Sequence, residues 1–236
     1  MADPAAAAPT PRSLAKADRR QALLAAAASL FARSGFNGVS IEDLGAAVGV
    51  SGPAVYRHFS GKQAVLAALL VGASEDLVAG GRAVARKTPD AAAALGALVR
   101  FHVDFALSNP DVIRVQDRDL DNLAEADRHR VRVLQREYVE LWVEVLSRVH
   151  PNVDTALLRT RAHATFGLIN STPHSAALSP RGAVRALLEE MALAALTPSA
   201  PRPTPRVSRN GAKPHPGTAE TAHSRDGSAR GDGEPD

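Results

Sequence analysis

The fold is decided by the stretch SIEDLGAAVGVSGPAVYRHFSGK, residues 40–62. Ser40 is a natural N-cap and Asp43 stands three residues later, close to the capping-box pattern, so a short helix is predicted to begin after Ser40. The apolar residues that follow recur at helical spacing and give this helix one apolar side. Gly49 comes directly after the last of them and is predicted to end the helix in the left-handed conformation.

A second short helix is predicted immediately after this turn, over Gly52 to Phe59. Ser51 is placed to cap it, and Pro53 suits its first turn, where a missing amide hydrogen costs little. Val55 and Phe59 lie four residues apart and face one side, which leaves small and polar residues on the other sides. A helix this short is not stable alone in water. Its outer face is typical of a helix that enters the major groove of DNA.

The same stretch resembles the DNA-binding helix-turn-helix of the TetR/AcrR transcriptional regulators. The positions that match are the turn Phe31–Gly35, the run Val48–Gly49–Val50, and Tyr56, His58, Phe59 and Lys62. The resemblance is strong over residues 19–70 and extends elsewhere only to a general helical plan. It implies a DNA-binding head, a larger domain for a small-molecule effector, and a homodimer formed by the last two helices. Candidate interface residues there, which ordinary packing would explain equally well, are Leu157, Arg161, Leu187 and Met191.

The candidate DNA-binding residues all belong to the helix-turn-helix. The resemblance implies phosphate contacts for Tyr56, His58 and Lys62, while a packed tyrosine and a surface lysine are the alternative. Small residues at the start of the second helix permit close approach and contact with the thymine methyl group, and Arg57 can reach a guanine or a phosphate. The full set is Ser40, Ser51, Gly52, Pro53, Ala54, Tyr56, Arg57, His58 and Lys62. Two heads related by two-fold symmetry would require a near-palindromic operator.

The rest of the chain predicts an all-α protein, because alternating strand patterns are missing throughout. About nine helices are expected, with Ser60 as the N-cap of the fourth, a bend or end near Gly80–Gly81 and a kink at Pro173. Their predicted ranges are 18–34, 41–48, 52–59, 61–86, 89–108, 110–118, 125–149, 153–178 and 180–196. The predicted domains are a disordered arm (1–17), the helix-turn-helix domain (18–62), the ligand-binding and dimerisation domain (63–196) and a disordered tail (197–236).

The larger domain has a set of aromatic and polar residues that are candidates for an effector pocket. They are Phe101, His102, Phe105, Trp142, Phe166, Asn170 and His174. Polar residues around Pro173 either satisfy one another and the kinked backbone or form a pocket floor that orients a ligand. Few aromatics and many small aliphatics favour an apolar or acyl-type effector. Some members of the family bind acyl-CoA thioesters, whose phosphates could meet Arg114, Arg118, Arg159 or Arg161.

Composition excludes several other classes of protein. Cysteine is absent, so there is no disulfide framework. No uninterrupted apolar run reaches about 18 residues and the N-terminus lacks a signal-peptide pattern, so a cytoplasmic protein with no membrane partner is expected. A catalytic or metal site is not expected, because His102 and Asp104 point to different sides of a helix and His163 and His174 are three turns apart. No cofactor is predicted.

These observations predict a homodimeric, ligand-responsive transcriptional repressor whose partners are a double-stranded DNA operator and a small effector. Two alternatives remain open. One is a transcriptional activator of the same fold. The other is a helical protein-interaction module that has lost DNA binding. Salt dependence distinguishes the interaction module from a DNA-binding regulator, because contacts to phosphates make DNA binding fall steeply as salt rises.

Overall fold

The computed structural model describes residues 11–175 and 179–197, and within these ranges every regular element is helical. The predicted all-α fold is confirmed. The helices are α1 (Pro11–Ser34), α2 (Ile41–Ala47), α3 (Gly52–Val55), α4 (Lys62–Lys87), α5 (Ala91–Ser108), α6 (Pro110–Asp119), α7 (Glu125–Val149), α8 (Thr155–Ile169), α9 (Thr172–Ser175) and α10 (Arg181–Leu196). A 3₁₀ turn, Leu120–Asn122, lies between α6 and α7.

Helix α1 begins earlier than the sequence predicted. It starts at Pro11 rather than at Asp18, so the prediction of a disordered arm is wrong for residues 11–17. Proline is well suited to the first position of a helix, and the alanines and long side chains that follow are good helix formers. The remainder of the predicted arm lies outside the described residues, as does the predicted tail beyond residue 197.

The capping pattern at α2 is confirmed. The Ser40 side chain accepts a hydrogen bond from the Asp43 amide at 3.0 Å, and the Asp43 carboxylate accepts one from the Ser40 amide at 2.8 Å. These hydrogen bonds to Ser40 lower the pKa of Asp43. Gly49 has a φ of 69°, the left-handed conformation that was predicted for the end of this helix.

Two other predicted caps are wrong. The Ser51 side chain makes no cap hydrogen bond at α3. The two amides that it could cap are those of Pro53, which has no hydrogen, and Ala54, whose amide donates to the Ser51 carbonyl. Helix α3 itself ends at Val55 and continues to Phe59 only as hydrogen-bonded turns, so it is shorter than predicted. Ser60 does not cap α4, because that helix begins one residue later than expected and Gly61 occupies the N-cap position.

Helix α4 runs unbroken through Gly80 and Gly81, so the predicted end there is wrong. A β-carbon at Gly80 would lie 2.3 Å from the ring of Phe101, and one at Gly81 would lie 2.8 Å from the ring of Tyr138. The two glycines therefore allow α5 and α7 to pack closely against α4. Their role is close packing of neighbouring helices.

The predicted single helix from Val153 to Leu178 is two helices. Helix α8 ends at Ile169, and α9 begins at Thr172. The ring of Pro173 clashes with the carbonyl of residue 169 in a continuous helix and offers no amide hydrogen, which explains the break. The last three residues of the predicted range, 176–178, lie outside the described part of the chain.

Two hydrophobic cores meet along α4 and α6. The head core contains buried residues of α1, α2 and α3 together with Val65, Leu66 and Leu70 of α4 and Val112 and Val115 of α6. The body core is built by the later part of α4 and by α5, α7, α8 and α10. Helices α4 and α5 are long and apolar enough by composition to cross a membrane, and 44% of the residues in each of these windows are buried inside the fold.

Candidate nucleic-acid interface and effector cavity

The outer face of the helix-turn-helix is formed by the exposed residues Ser51, Pro53, Tyr56 and Arg57. Tyr56 is 56% exposed although it is a large aromatic residue. The opposite face of this segment is anchored by Val55 and Phe59, which are buried in the head core. The anchoring leaves the phenol and the guanidinium directed away from the core, where they can meet DNA.

Other predicted DNA-binding residues are less accessible. Gly52 is buried, and a β-carbon there would lie 3.2 Å from the carboxylate of Glu42. Ala54 and His58 are half-buried, and Ser40 is exposed but engaged in the capping box. The Nδ1 atom of His58 is enclosed and has no hydrogen-bond partner in the described ranges. A phosphate would therefore meet this ring through Nε2.

Lys62 has a role inside the head that the sequence did not predict. Its ammonium group donates to the carbonyl oxygen of Phe36 at 2.8 Å and lies 4.4 Å from the centre of the Phe36 ring. Lysine has three donor hydrogens, so this bond leaves others for a phosphate. The lysine thus fixes the start of α4 to the loop after α1, and DNA contact by the same group stays a prediction.

A cavity of about 180 Å³ lies in the body between α4, α5, α6, α7 and α8. Its lining combines apolar side chains with neutral polar ones. The lining residues are Ser74, Leu77, His102, Gln116, Leu134, Gln135, Tyr138, Val139, His163, Phe166 and Asn170. Pockets of this kind, apolar with a few convergent polar groups, are typical of small-molecule sites.

His102 is the centre of the polar network in this cavity. It is 3% exposed, and its two ring nitrogens lie 3.2 Å from the Tyr138 hydroxyl and 3.1 Å from Asn170 Oδ1. Its ring packs among aromatic neighbours, with centroid distances of 4.9 Å to Phe166 and 6.0 Å to Trp142. Burial lowers the pKa of His102 to about 4, and burial raises that of the Tyr138 phenol well above its usual range. Both groups are therefore neutral near pH 7.

The seven residues predicted to bind the effector do not all meet at this cavity. His102, Phe166 and Asn170 line it, and Trp142 packs edge-on against Phe166 at 5.0 Å without lining it. Phe105 stacks near His102 but lines a separate cleft of about 410 Å³ between α1 and α4.

Two of the seven lie elsewhere. Phe101 covers Gly80, and His174 is exposed.

The four arginines proposed for an acyl-CoA phosphate have other contacts or lie away from the cavity lining. Arg114 donates to the Pro173 carbonyl, and Arg118 donates to the end of α1. Arg159 forms two hydrogen bonds of 2.9 Å with Glu140. Arg161 is half-buried on α8, and none of the four lines the cavity.

Several cavity residues were missed by the sequence reasoning. Tyr138 lies on the buried side of α7, and its hydrogen bond to His102 spans 36 residues. Ser74, Gln116 and Gln135 are single polar residues on otherwise ordinary helices. A polar residue on the buried side of an amphipathic helix was the available signal for Ser74, which is 4% exposed.

Two family models match this chain, the first over the head and the second over part of the body. Residues 23–69 match "Bacterial regulatory proteins, tetR family", and residues 88–174 match "Tetracyclin repressor-like, C-terminal domain". Together these segments account for more than half of the chain. The chain belongs to the TetR family. Proteins of this family are DNA-binding transcriptional regulators and not enzymes.

Individual TetR-family proteins are similar over parts of their length. The repressor KstR2 of Rhodococcus jostii is 29% identical over 56% of this chain and 65% of its own length. The activator FasR of Mycolicibacterium smegmatis is 35% identical over 39% of this chain and 42% of its own length. The alignments thus span less than two thirds of each of these curated relatives.

The fold is also that of solved TetR-family structures. A TetR-family regulator from Bordetella parapertussis superposes with a TM-score of 0.67 at 24% identity, over 75% of this chain and 94% of its own. The similarity includes both the head and the body. At this level of identity it establishes the shared fold.

Proposed function

We propose that this protein is a cytoplasmic, homodimeric repressor that binds a near-palindromic operator and is released by a small effector. The observation that carries the proposal is the course of α4. Its first half packs in the head core through Val65, Leu66 and Leu70, and its middle lines the cavity through Ser74 and Leu77. One helix therefore connects the exposed face of the helix-turn-helix to the cavity where an effector would act.

Helix α6 provides a second connection between the same two places. Val112 and Val115 pack in the head core, while Gln116 lines the cavity. An effector that fills the cavity would displace α4 and α6 together and change the spacing or tilt of the two heads. Because both heads must sit in successive major grooves, a differential affinity of a few kcal/mol is enough to release the operator.

The homodimer is supported by an unusual concentration of exposed apolar side chains on two neighbouring helices. Leu157 on α8 is 49% exposed, and Leu187 and Met191 on α10 are 55% and 45% exposed. Helices α8 and α10 pack against each other, and we infer that these side chains belong to one surface. A second copy of the same surface would cover them, in the manner of a two-fold interface.

An activator is the second candidate, because the activator FasR is 35% identical over part of this chain. The two functions differ in which state the effector favours and in where the operator lies relative to the promoter. In vitro transcription from a promoter with its recovered operator decides between them. A repressor lowers transcript yield without effector, and an activator raises it.

Selection of genomic fragments by the purified protein tests the proposal as a whole. The expected result is one enriched, near-palindromic sequence, bound by a protein dimer. Recovery of no enriched sequence by a folded dimer would overturn the regulator and favour the interaction module.

A further inference from the structure

The lining of the effector cavity contains no aspartate, glutamate, lysine or arginine. Its polar members are a serine, two glutamines, an asparagine, a tyrosine and two histidines. His102 is fully surrounded by protein and neutral, as burial lowers its pKa. A carboxylate, phosphate or ammonium group placed among these side chains would lose part of its hydration without gaining an opposite charge, which is unfavourable.

The hydrogen bonds of His102 determine which donors the cavity presents. Asn170 Oδ1 can only accept, so the His102 nitrogen at 3.1 Å, Nε2, carries the proton and donates to it. The other nitrogen, Nδ1, is then an acceptor and takes the hydrogen of the Tyr138 hydroxyl at 3.2 Å. The hydroxyl hydrogen of Tyr138 and the amide oxygen of Asn170 are therefore both engaged in hydrogen bonds with His102.

What remains for a ligand includes the side-chain amides of Gln116 and Gln135 and, next to His102, the amide donor of Asn170. The two hydrogens on Asn170 Nδ2 have no protein acceptor among the described residues, whereas the Ser74 hydroxyl donates to the Leu70 carbonyl at 2.8 Å. An amide NH₂ in a pocket of apolar walls is matched by a carbonyl or ether oxygen.

The size of the cavity limits the ligand further. A cavity of about 150 Å³ with apolar walls holds one benzene molecule, and the volume here is about 180 Å³. The part of a ligand that this volume can enclose is about one six-membered ring with a single small substituent.

Resting on the proposed function of this site, we infer that the cavity binds an uncharged, ring-sized molecule or moiety. Its carbonyl oxygen accepts a hydrogen bond from Asn170 Nδ2. The acyl-type effector expected from the sequence is consistent with this only if the part inside the cavity is its neutral end. The charged part of a larger effector would have to stay outside.

The test uses the full-length protein and three cyclohexane derivatives of similar size. Cyclohexanone offers a carbonyl, methylenecyclohexane has the same shape without an acceptor, and cyclohexanecarboxylate is an anion. Trp142 is the single tryptophan of the chain and lies 5.0 Å from the Phe166 ring, so its fluorescence reports binding without DNA. We expect cyclohexanone to bind about tenfold more tightly than methylenecyclohexane and the carboxylate to bind more weakly than both.

Two variants examine the donor. Asn170→Asp keeps an oxygen for His102 but replaces the donor with an acceptor, and it should abolish the preference for the ketone. Asn170→Ala avoids a buried charge and should also abolish that preference. Asn152→Asp makes the same chemical change at an exposed residue outside the cavity and should leave all three affinities unchanged.

Three results would overturn the inference: equal or tighter binding of the carboxylate, an unchanged ketone preference in Asn170→Ala, or no binding by any of the three compounds. Because the assay contains no DNA, its outcome is independent of operator binding. If the ketone binds as expected but leaves operator affinity unchanged, the result contradicts the proposed regulatory function of the cavity and supports the inferred class of ligand.

Discussion

The guanidinium of Arg118, at the end of α6, donates through Nη2 to the carbonyl oxygen of Phe31, 87 residues earlier in the chain. Its Nη1 also donates to the Ala32 carbonyl at 3.4 Å. These carbonyls belong to the last turn of α1, and the Phe31 carbonyl also accepts the Gly35 amide at 2.8 Å. Arg118 is held in turn by the buried carboxylate of Asp119 at 3.1 Å. The pair therefore fastens the cavity-lining helix α6 to the head.

Replacing Arg118 should destabilise this junction. In Arg118→Ala the α1 carbonyls lose a charged donor and Asp119, whose side chain is 6% exposed, loses its cation. We expect the free energy of unfolding in urea to fall by about 1–3 kcal/mol. Arg100→Ala, at an exposed site of α5, is the control and should change it by less than about 0.5 kcal/mol. Equal effects of the two variants would contradict the fastening role.

Replacement of glycine by alanine should have opposite effects on stability at two positions of α4. Gly80→Ala places a methyl group 2.3 Å from Phe101, and overpacking of this kind costs about 1–3 kcal/mol. Gly72→Ala meets nothing within 4 Å, so it should stabilise the helix by about 0.5–1 kcal/mol. Thermal denaturation of both variants measures the difference. A stabilised Gly80→Ala would show that the helices can separate without cost.

The exposed apolar surface of α8 and α10 predicts the oligomeric state. Leu187→Glu and Met191→Glu each place a charge in the proposed interface, so sedimentation equilibrium should report weaker dimers or monomers. Leu14→Glu makes the same change at a residue that is 49% exposed on α1 and should remain dimeric. Dimers of unchanged affinity in both α10 variants would place the interface elsewhere.

His102 predicts a loss of stability in mild acid. Its pKa is about 4 in the folded protein, below the ordinary value of 6.5, so between these pH values only the unfolded chain takes up the proton. Stability therefore falls as the pH drops through this window, by about 2 kcal/mol at pH 5 relative to pH 7. His102→Gln lacks this titration, and its change in unfolding free energy from pH 7 to pH 5 should be smaller by that amount.

The exposed His129 supplies the control for this experiment. His129→Gln should keep the pH dependence of the unmodified protein. An unchanged dependence in His102→Gln would mean that His102 is not the group that titrates.

Local patterns in the sequence were sufficient for two features of the head. The Ser40 capping box and the Gly49 turn depend on residues within ten positions of each other, and both are present as predicted. Ser51 failed as a cap because the amide it needed belongs to a proline, which is also a local fact and was available.

The cavity could be predicted only in part, because it depends on contacts between distant helices. His102 meets residues 36 and 68 positions away, and no periodicity links those positions. From the sequence, a bend or end was predicted near Gly80 because glycine destabilises a helix. In the structure, glycine is needed there because the ring of Phe101 on α5 leaves no room for a β-carbon. Lys62 is part of the motif shared with the TetR family. Its hydrogen bond to the Phe36 carbonyl, however, depends on the path of the loop after α1.

The central claim is that the exposed face of the helix-turn-helix binds operator phosphates and bases, and Arg57 tests it most directly. The measurement is the operator affinity of the protein and of Arg57→Ala at several salt concentrations, with the exposed Arg100→Ala as control. We predict a steep fall of affinity with salt for the unmodified protein. In Arg57→Ala we predict either a slope of log K on log salt that is smaller by about 0.9, if Arg57 binds a phosphate, or lost discrimination at one base pair, if it reads a base. Affinity, slope and specificity that are unchanged in Arg57→Ala would contradict the account.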